Sequence, residues 1–172
     1  MNPKKCAFAV NMGKFLGVIV HHKGITVDDT KAAAIKGMSP PRNPDQLRSL
    51  IGKVSYLRRF IPGLAELTSP MMKLLKKNTP FSWGKECENG FQRIKEVLTT
   101  PQLMTPPIPG KPLLMYIAVT EKSLGALIAQ EKEGIERPIY YLSRLTRGAE
   151  CNYSPIERQC LALVYVAQRL RH

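Results

Sequence analysis

Proline divides this chain more firmly than any other residue. Pro40, Pro41 and Pro44 cluster, Pro80 stands apart, and Pro101, Pro106, Pro107, Pro109 and Pro112 follow close together. Proline fixes φ and removes a backbone donor, so it belongs at helix starts, edges and loops rather than inside helices or central strands. The clusters therefore mark joints, and the segments between them must supply the fold. With 44% hydrophobic residues in 172, these segments can build a core. No run of about 18 apolar residues is present, so a membrane helix is not expected.

Residues 6–10 and 14–20 read as strands. HHKG before ITV reads as a hairpin turn in which Gly24 supplies a positive φ. Asp28 or Asp29 can cap a short helix that Gly37 and Pro40 end. Asn43, Pro44 and Gln46 have the spacing of an N-cap, N1 and N3. Leu47, Leu50, Ile51, Val54 and Leu57 then share one helix face, while Arg48, Gly52 and Tyr56 lie on another. A third helix is expected over about 64–76 and a fourth after Pro80, with Phe91, Ile94, Val97 and Leu98 on one side. Strands are expected over 113–119, 125–130 and 138–142. A last helix begins near Ser154, with Pro155 at N1 and Glu157 at N3, and its expected buried face is Ile156, Cys160, Leu163, Val164, Ala167 and Leu170. Three strands followed by a helix open an α/β domain whose remaining elements are not in the sequence.

Lys and Arg number 26 against 13 acids, a net charge of +13. Residues 1–80 hold 14 of these basic residues against only Asp28, Asp29, Asp45 and Glu66. The first half is thus the face expected to meet a polyanion, with nucleic acid before membrane. Four scattered cysteines show no CxxC spacing. Neither zinc nor a disulfide framework is expected, and the thiols fit a reducing compartment.

KFLGVIVHHKGITVDDTKAAAI, LRSLIGKVSYLRRFIPGLAELTSPMMKLLKK, FSWGKECENGFQRIKEVL and NYSPIERQCLALVYVAQRLRH occur in that order. Together they resemble Pol polyproteins of Ty3/gypsy-type LTR retrotransposons, most of all those of plants. The resemblance implies an α+β fold. Residues 1–28 would be the palm-end hairpin of a reverse transcriptase, 29–79 a helical thumb, and 80–172 a truncated, connection-type RNase H-like α/β domain. Phe15, Leu16 and Gly17 resemble the hairpin that holds the primer 3′ end. Arg48, Gly52 and Tyr56 resemble the thumb stripe that follows the minor groove of the template–primer, and Arg58 and Arg59 are further phosphate contacts. The implied partners are an RNA–DNA or DNA duplex and the rest of Pol. The implied location is cytoplasmic or nuclear, particle-associated in an active element. Each residue also has a plainer use: Gly52 in helix packing, Tyr56 as a half-buried contact, the basic residues as a solvated face. The joint spacing and the charge asymmetry favour the ligand role.

The family's chemistry runs on carboxylates that hold two Mg²⁺ ions. No YxDD motif occurs, so the polymerase site is expected upstream of Met1. On the first RNase H strand Ala118 stands where the resemblance implies Asp, and Glu157 matches the helix Glu. The last two acids are expected beyond His172. Glu121, three residues along the strand from Ala118, is expected to point to the other face. The segment is therefore expected to hold no metal or cofactor of its own, the Mg²⁺ belonging to the intact parent enzyme, and to handle nucleic acid without catalysing. An active ribonuclease H and a host-retained protein-interaction module are the alternatives.

Overall fold

The computed structural model describes residues 10–15, 17–100 and 103–170. Of the strand expected over 6–10, residues 6–9 lie outside this range and Val10 carries no strand. The strand expected over 14–20 is two strands, β1 (Met12–Phe15) and β2 (Val18–His21), with β3 (Gly24–Val27) completing an antiparallel sheet in that order. The reason is Gly17: its φ of 73° is left-handed, which turns the chain where an extended residue would continue it. Phe15 pairs with Val18 and His21 with Gly24, so both turns are tight.

Asp28 caps α1 (Asp29–Lys36), accepting from the Thr30 amide at 3.0 Å and the Thr30 hydroxyl at 2.9 Å. These bonds, more than the nearby Lys14, hold its carboxyl below the usual range. α2 (Pro44–Tyr56) is capped by Asn43, which accepts from Gln46 N–H at 2.9 Å. A 3-10 turn (Arg58–Phe60), α3 (Leu64–Lys73) and α4 (Lys85–Thr99) follow. α3 stops one turn earlier than the apolar pattern suggests, at the cap residue Leu74. Leu47, Leu50, Val54 and Leu57 are buried with Ile35, Phe60, Ile61, Met71, Phe91 and Ile94 in one cluster. The sequence joint at Pro80 does not interrupt this core, because α4 crosses α3 closely. A Cβ on Gly90 would lie 2.3 Å from the Leu67 carbonyl oxygen.

The proline-rich segment leads from this core to a second sheet. Met104 exchanges both backbone hydrogen bonds with Ile25, at 2.8 and 2.9 Å. Buried Gln130 accepts from Ile108 N–H at 2.7 Å and donates to the Ile108 and Lys111 carbonyls at 3.2 and 3.0 Å. One amide side chain thus satisfies a loop that proline prevents from pairing as a strand. β4 (Leu114–Val119), β5 (Ser123–Lys132) and β6 (Ile135–Leu145) form an antiparallel meander in chain order. Glu133 and Gly134 both have positive φ, the geometry of a two-residue hairpin turn. β6 is longer than 138–142 and carries Pro138 because it is an edge strand with a register shift opposite Ile128 and Ala129. Glu121 is not on a strand face; it lies in the β4–β5 turn.

α5 (Pro155–Leu170) crosses this sheet with the face opposite to the one expected. Ala162 and Val166 are buried and Tyr165 packs beside them, whereas Ile156, Leu163 and Val164 are 65%, 48% and 51% exposed. Both stripes of α5 are apolar, and the sheet takes the one in which Val166 packs with Ala126, Ile128 and Leu142. Before α5, Arg144 grips Glu150 with both guanidinium nitrogens, at 2.6 and 2.7 Å.

Two expectations follow from this packing. The apolar stripe of α5, with the exposed Met115 and Ile117 of edge strand β4, leaves a surface that favours association. The isolated chain should form oligomers or aggregates at high concentration by light scattering, and Ile156→Lys with Val164→Lys should shift it toward monomer. Hydrogen bonds from Arg144 push the Glu150 carboxyl from 4.5 to about 2. A carboxyl depressed in the folded state stabilises it above the unfolded value, and that contribution is lost as pH falls toward the folded value. Melting temperature should therefore drop between pH of about 4.5 and about 2, with a shallower acid limb in Glu150→Gln.

Candidate nucleic-acid interface

The end of α2 and the turn after it place the basic residues by burying their neighbours. Leu57, Phe60 and Ile61 are inside, so Arg58 and Arg59 between them are driven outward. Arg59 lays its guanidinium over the Tyr140 ring of β6, 4.8 Å from the centroid. Phe15, Tyr56, Arg58, Arg59 and Tyr140 line one open groove, which draws the hairpin, α2 and the second sheet to a single surface. Tyr140 had no signal in the sequence, because only the fold of β6 brings it here.

Tyr56 serves both as a packing residue and as an exposed one. Its ring rests against Gly17, where a Cβ would come within 2.9 Å of Tyr56 Cε1, and yet Tyr56 is 47% exposed. Phe15 projects from β1 into solvent. Leu16 lies outside the described residues.

Arg48, Gly52 and Tyr56 are all exposed along α2. Among the described residues Gly52 has no atom within 4 Å of the position a Cβ would take, so none of the described helices packs against it there. A glycine inside a helix costs about 1 kcal/mol relative to alanine. Gly52 therefore sits on an open stretch of the α2 surface. Arg48 bonds Asp45 at 2.6 Å, an exposed i, i+3 pair that the spacing alone announces. Such pairs contribute about 0–1 kcal/mol, so Arg48 is readily released to another anion.

The carboxylate positions are arranged differently. Ala118 lies on β4 opposite Gly125, and its methyl group cannot ligate a metal. Glu157 accepts from the Ser154 N–H at 2.7 Å as the return half of a capping box. That backbone hydrogen bond, then the Ser154 side chain, holds its carboxyl below the usual range. Among the described residues no group of three His, Cys, Asp or Glu side chains is placed to hold a metal ion. The donor set at these positions does not fit a two-metal centre. The same residues contain no helix long and apolar enough to cross a membrane.

A three-stranded antiparallel meander crossed by one helix, preceded by a helical unit with a basic surface, has the RNase H-like architecture of a reverse transcriptase region. Residues 83–172, more than half of the chain, match the model of the RNase H-like domain found in reverse transcriptase, and the chain belongs to that family. It is 32% identical over 95% of its length to a retrovirus-related Pol polyprotein from transposon 412 of Drosophila melanogaster, and 29% identical over its whole length to the transposon Tf2-3 polyprotein of Schizosaccharomyces pombe. It spans 13% of the length of each of these relatives. Its fold is similar to foamy viral protease–reverse transcriptase solved with dsDNA, with a TM-score of 0.77, 21% identity and coverage of 96% of this chain and 35% of that one. The same protein with an RNA/DNA hybrid gives a TM-score of 0.78 at 21% identity, covering 96% of this chain and 23% of that chain.

Two glycines separate surface from core. Gly52→Ala should raise stability to chemical denaturation by about 0.5–1 kcal/mol, because it meets open space. Gly90→Ala should lower it by about 1–3 kcal/mol, because its Cβ meets backbone.

Proposed function

We propose that this segment handles template–primer nucleic acid within the Pol polyprotein of a Ty3/gypsy-type, plant-like element and is non-catalytic by itself. The hairpin at 1–28 and the helices at 29–79 act as palm end and thumb, and 80–172 acts as a connection-type domain. The observation that carries this reading is the convergence of Phe15, Tyr56, Arg58 and Arg59 on one groove beside the exposed stripe of Arg48 and Gly52. Glycine admits backbone to a duplex, an aromatic ring lies against sugar edges, and arginine forks match phosphates. The foamy viral proteins of like fold, solved with dsDNA and with RNA/DNA hybrid, support a duplex as the ligand. Ala118 and the capping role of Glu157 support inactivity of this segment. Any Mg²⁺ chemistry belongs to other parts of an intact parent enzyme. The setting would be intracellular, cytoplasmic or nuclear, in an element's particle.

Purified chain should bind an RNA–DNA hybrid weakly, with a log–log salt slope of roughly −4 to −5 for about four to six phosphate contacts. Arg48→Ala and Arg59→Ala should each make that slope shallower by about one. Tyr56→Ala should weaken binding with the slope kept. The same hybrid incubated with Mg²⁺ or Mn²⁺ should stay intact. A salt-independent isotherm would remove the binding role, and hybrid cleavage abolished by Glu157→Gln would remove the inactivity.

A further inference from the structure

The loop between α1 and α2 presents a serine that the packing leaves unused. Ser39 is exposed, and its hydroxyl forms no hydrogen bond among the described residues. Pro40 and Arg42 are exposed with it, whereas Pro41 is buried and anchors the loop. Both ends are fixed: Gly37 N–H donates to the Ala33 carbonyl at 2.9 Å, and Arg42 N–H donates to Gln46 Oε1 at 2.8 Å. A residue before proline is held away from helical backbone. Ser39-Pro40-Pro41-Arg42 is thus an accessible serine outside any helix or strand, followed by proline and, three residues on, by a cation.

That combination occurs once. Six Ser-Pro or Thr-Pro pairs are present, at Ser39, Ser69, Thr79, Thr100, Thr105 and Ser154, and only Ser39 has Lys or Arg three residues on. Ser69 lies inside α3, and Ser154 is engaged with Glu157 at the start of α5. Two lysines from separate helices close on the residue before Ser39. Lys95 of α4 donates to the Met38 carbonyl at 2.7 Å, and Lys53 of α2 lies 3.8 Å from Met38 Sδ. Neither lysine forms an ion pair among the described residues. An ammonium has three donors and a thioether is a weak acceptor, so both lysines keep donors for a stronger acceptor. The Met38 carbonyl belongs to the peptide bond that joins Ser39, which sets Lys95 beside the serine. Asp45, the acid nearest to Ser39 in sequence, is paired with Arg48.

We propose that Ser39 is a phosphorylation site for a proline-directed serine/threonine kinase, and that Lys53 and Lys95 receive the phosphate. Ser39 Oγ attacks the γ-phosphorus of ATP, the bond to the bridging oxygen breaks and ADP leaves, and the hydroxyl proton passes to the carboxylate base of the kinase. A phosphoserine carries a charge of about −1.5 to −2 and strong acceptor oxygens. It ties the α1–α2 loop to α2 and α4 by charge-assisted hydrogen bonds. It also sets negative charge on the half of the chain that holds 14 basic residues against four acids. The site stands whether or not the segment binds nucleic acid.

The test incubates the full chain with ATP and a cyclin-dependent kinase, shown active on a standard acceptor peptide, and reads the modified positions by mass spectrometry. Ser39 should be phosphorylated faster than any other Ser-Pro or Thr-Pro site, and Ser39→Ala should remove that signal. The phosphorylated chain should melt about 2–4 °C higher than the unmodified one at low salt. The difference should shrink at about 0.5 M salt, because exposed charge pairs are screened. Lys53→Met with Lys95→Met should leave phosphorylation intact and abolish the shift. Lys53→Met alone, at an exposed position, should reduce the shift to about half and decides the matter if the double variant does not fold. No modification of Ser39 by the active kinase, or faster modification of another Ser-Pro or Thr-Pro site, overturns the site. Modification of Ser39 without a shift in melting, or with a shift that survives the lysine substitutions, overturns the role of Lys53 and Lys95.

Discussion

Contact between α3 and α4 at Gly90 holds the arrangement together. With the Leu67 carbonyl pressed where a side chain would begin, α4 lies flush on α3. Phe91, Ile94 and Leu98 then complete a core with α1, α2 and the end of α3. α3 in turn reaches the second sheet from its first turn, through the Ala65 amide to Ser143 and the Glu66 carboxylate to the Ser123 hydroxyl at 3.2 Å. α3 is thus held between α4 on one side and the second sheet on the other.

Binding features and catalytic features diverge along the chain. Apolar anchors at Leu57, Phe60 and Ile61 force the arginines between them outward, so a basic surface is a by-product of making the core. Among the described residues the candidate carboxylate positions are not gathered in the same way. The acid on α5 is absorbed by its own helix cap, and the strand position opposite Gly125 carries a methyl group. The exposed arginines and the candidate carboxylate positions thus lie on different elements, the former at the end of α2 and the turn after it, the latter on β4 and α5.

Membership of the RNase H-like domain family and the meander-plus-helix fold agree with the motif order in the sequence. The chain covers 13% of the length of the transposon 412 polyprotein. The exposed stripe of α5 and the edge of β4 are apolar faces of a kind that rarely stay open to water.

What was legible from the sequence was local. Asp28, Asn43 and Ser154 announce their helices because a cap joins residues two or three apart, and Gly24 announces its turn for the same reason. The buried stripe of α2 was legible because only one of its faces is apolar. α5 defeats that reasoning: it has two apolar stripes, and periodicity does not say which one a sheet will cover. The break at Gly17 was hidden inside an apolar run that reads as one strand. Gly52 and Gly90 look alike in sequence, both inside helices, yet one faces open space and the other a carbonyl. Tyr140 and Arg169 joined Arg58 and Arg59 only after β6 and α5 had folded against the helices. Capping, turn geometry and charge act over a few residues and are written in order along the chain. Which face is buried, and which distant side chains share a groove, is decided by packing between elements, and only the tertiary structure holds that.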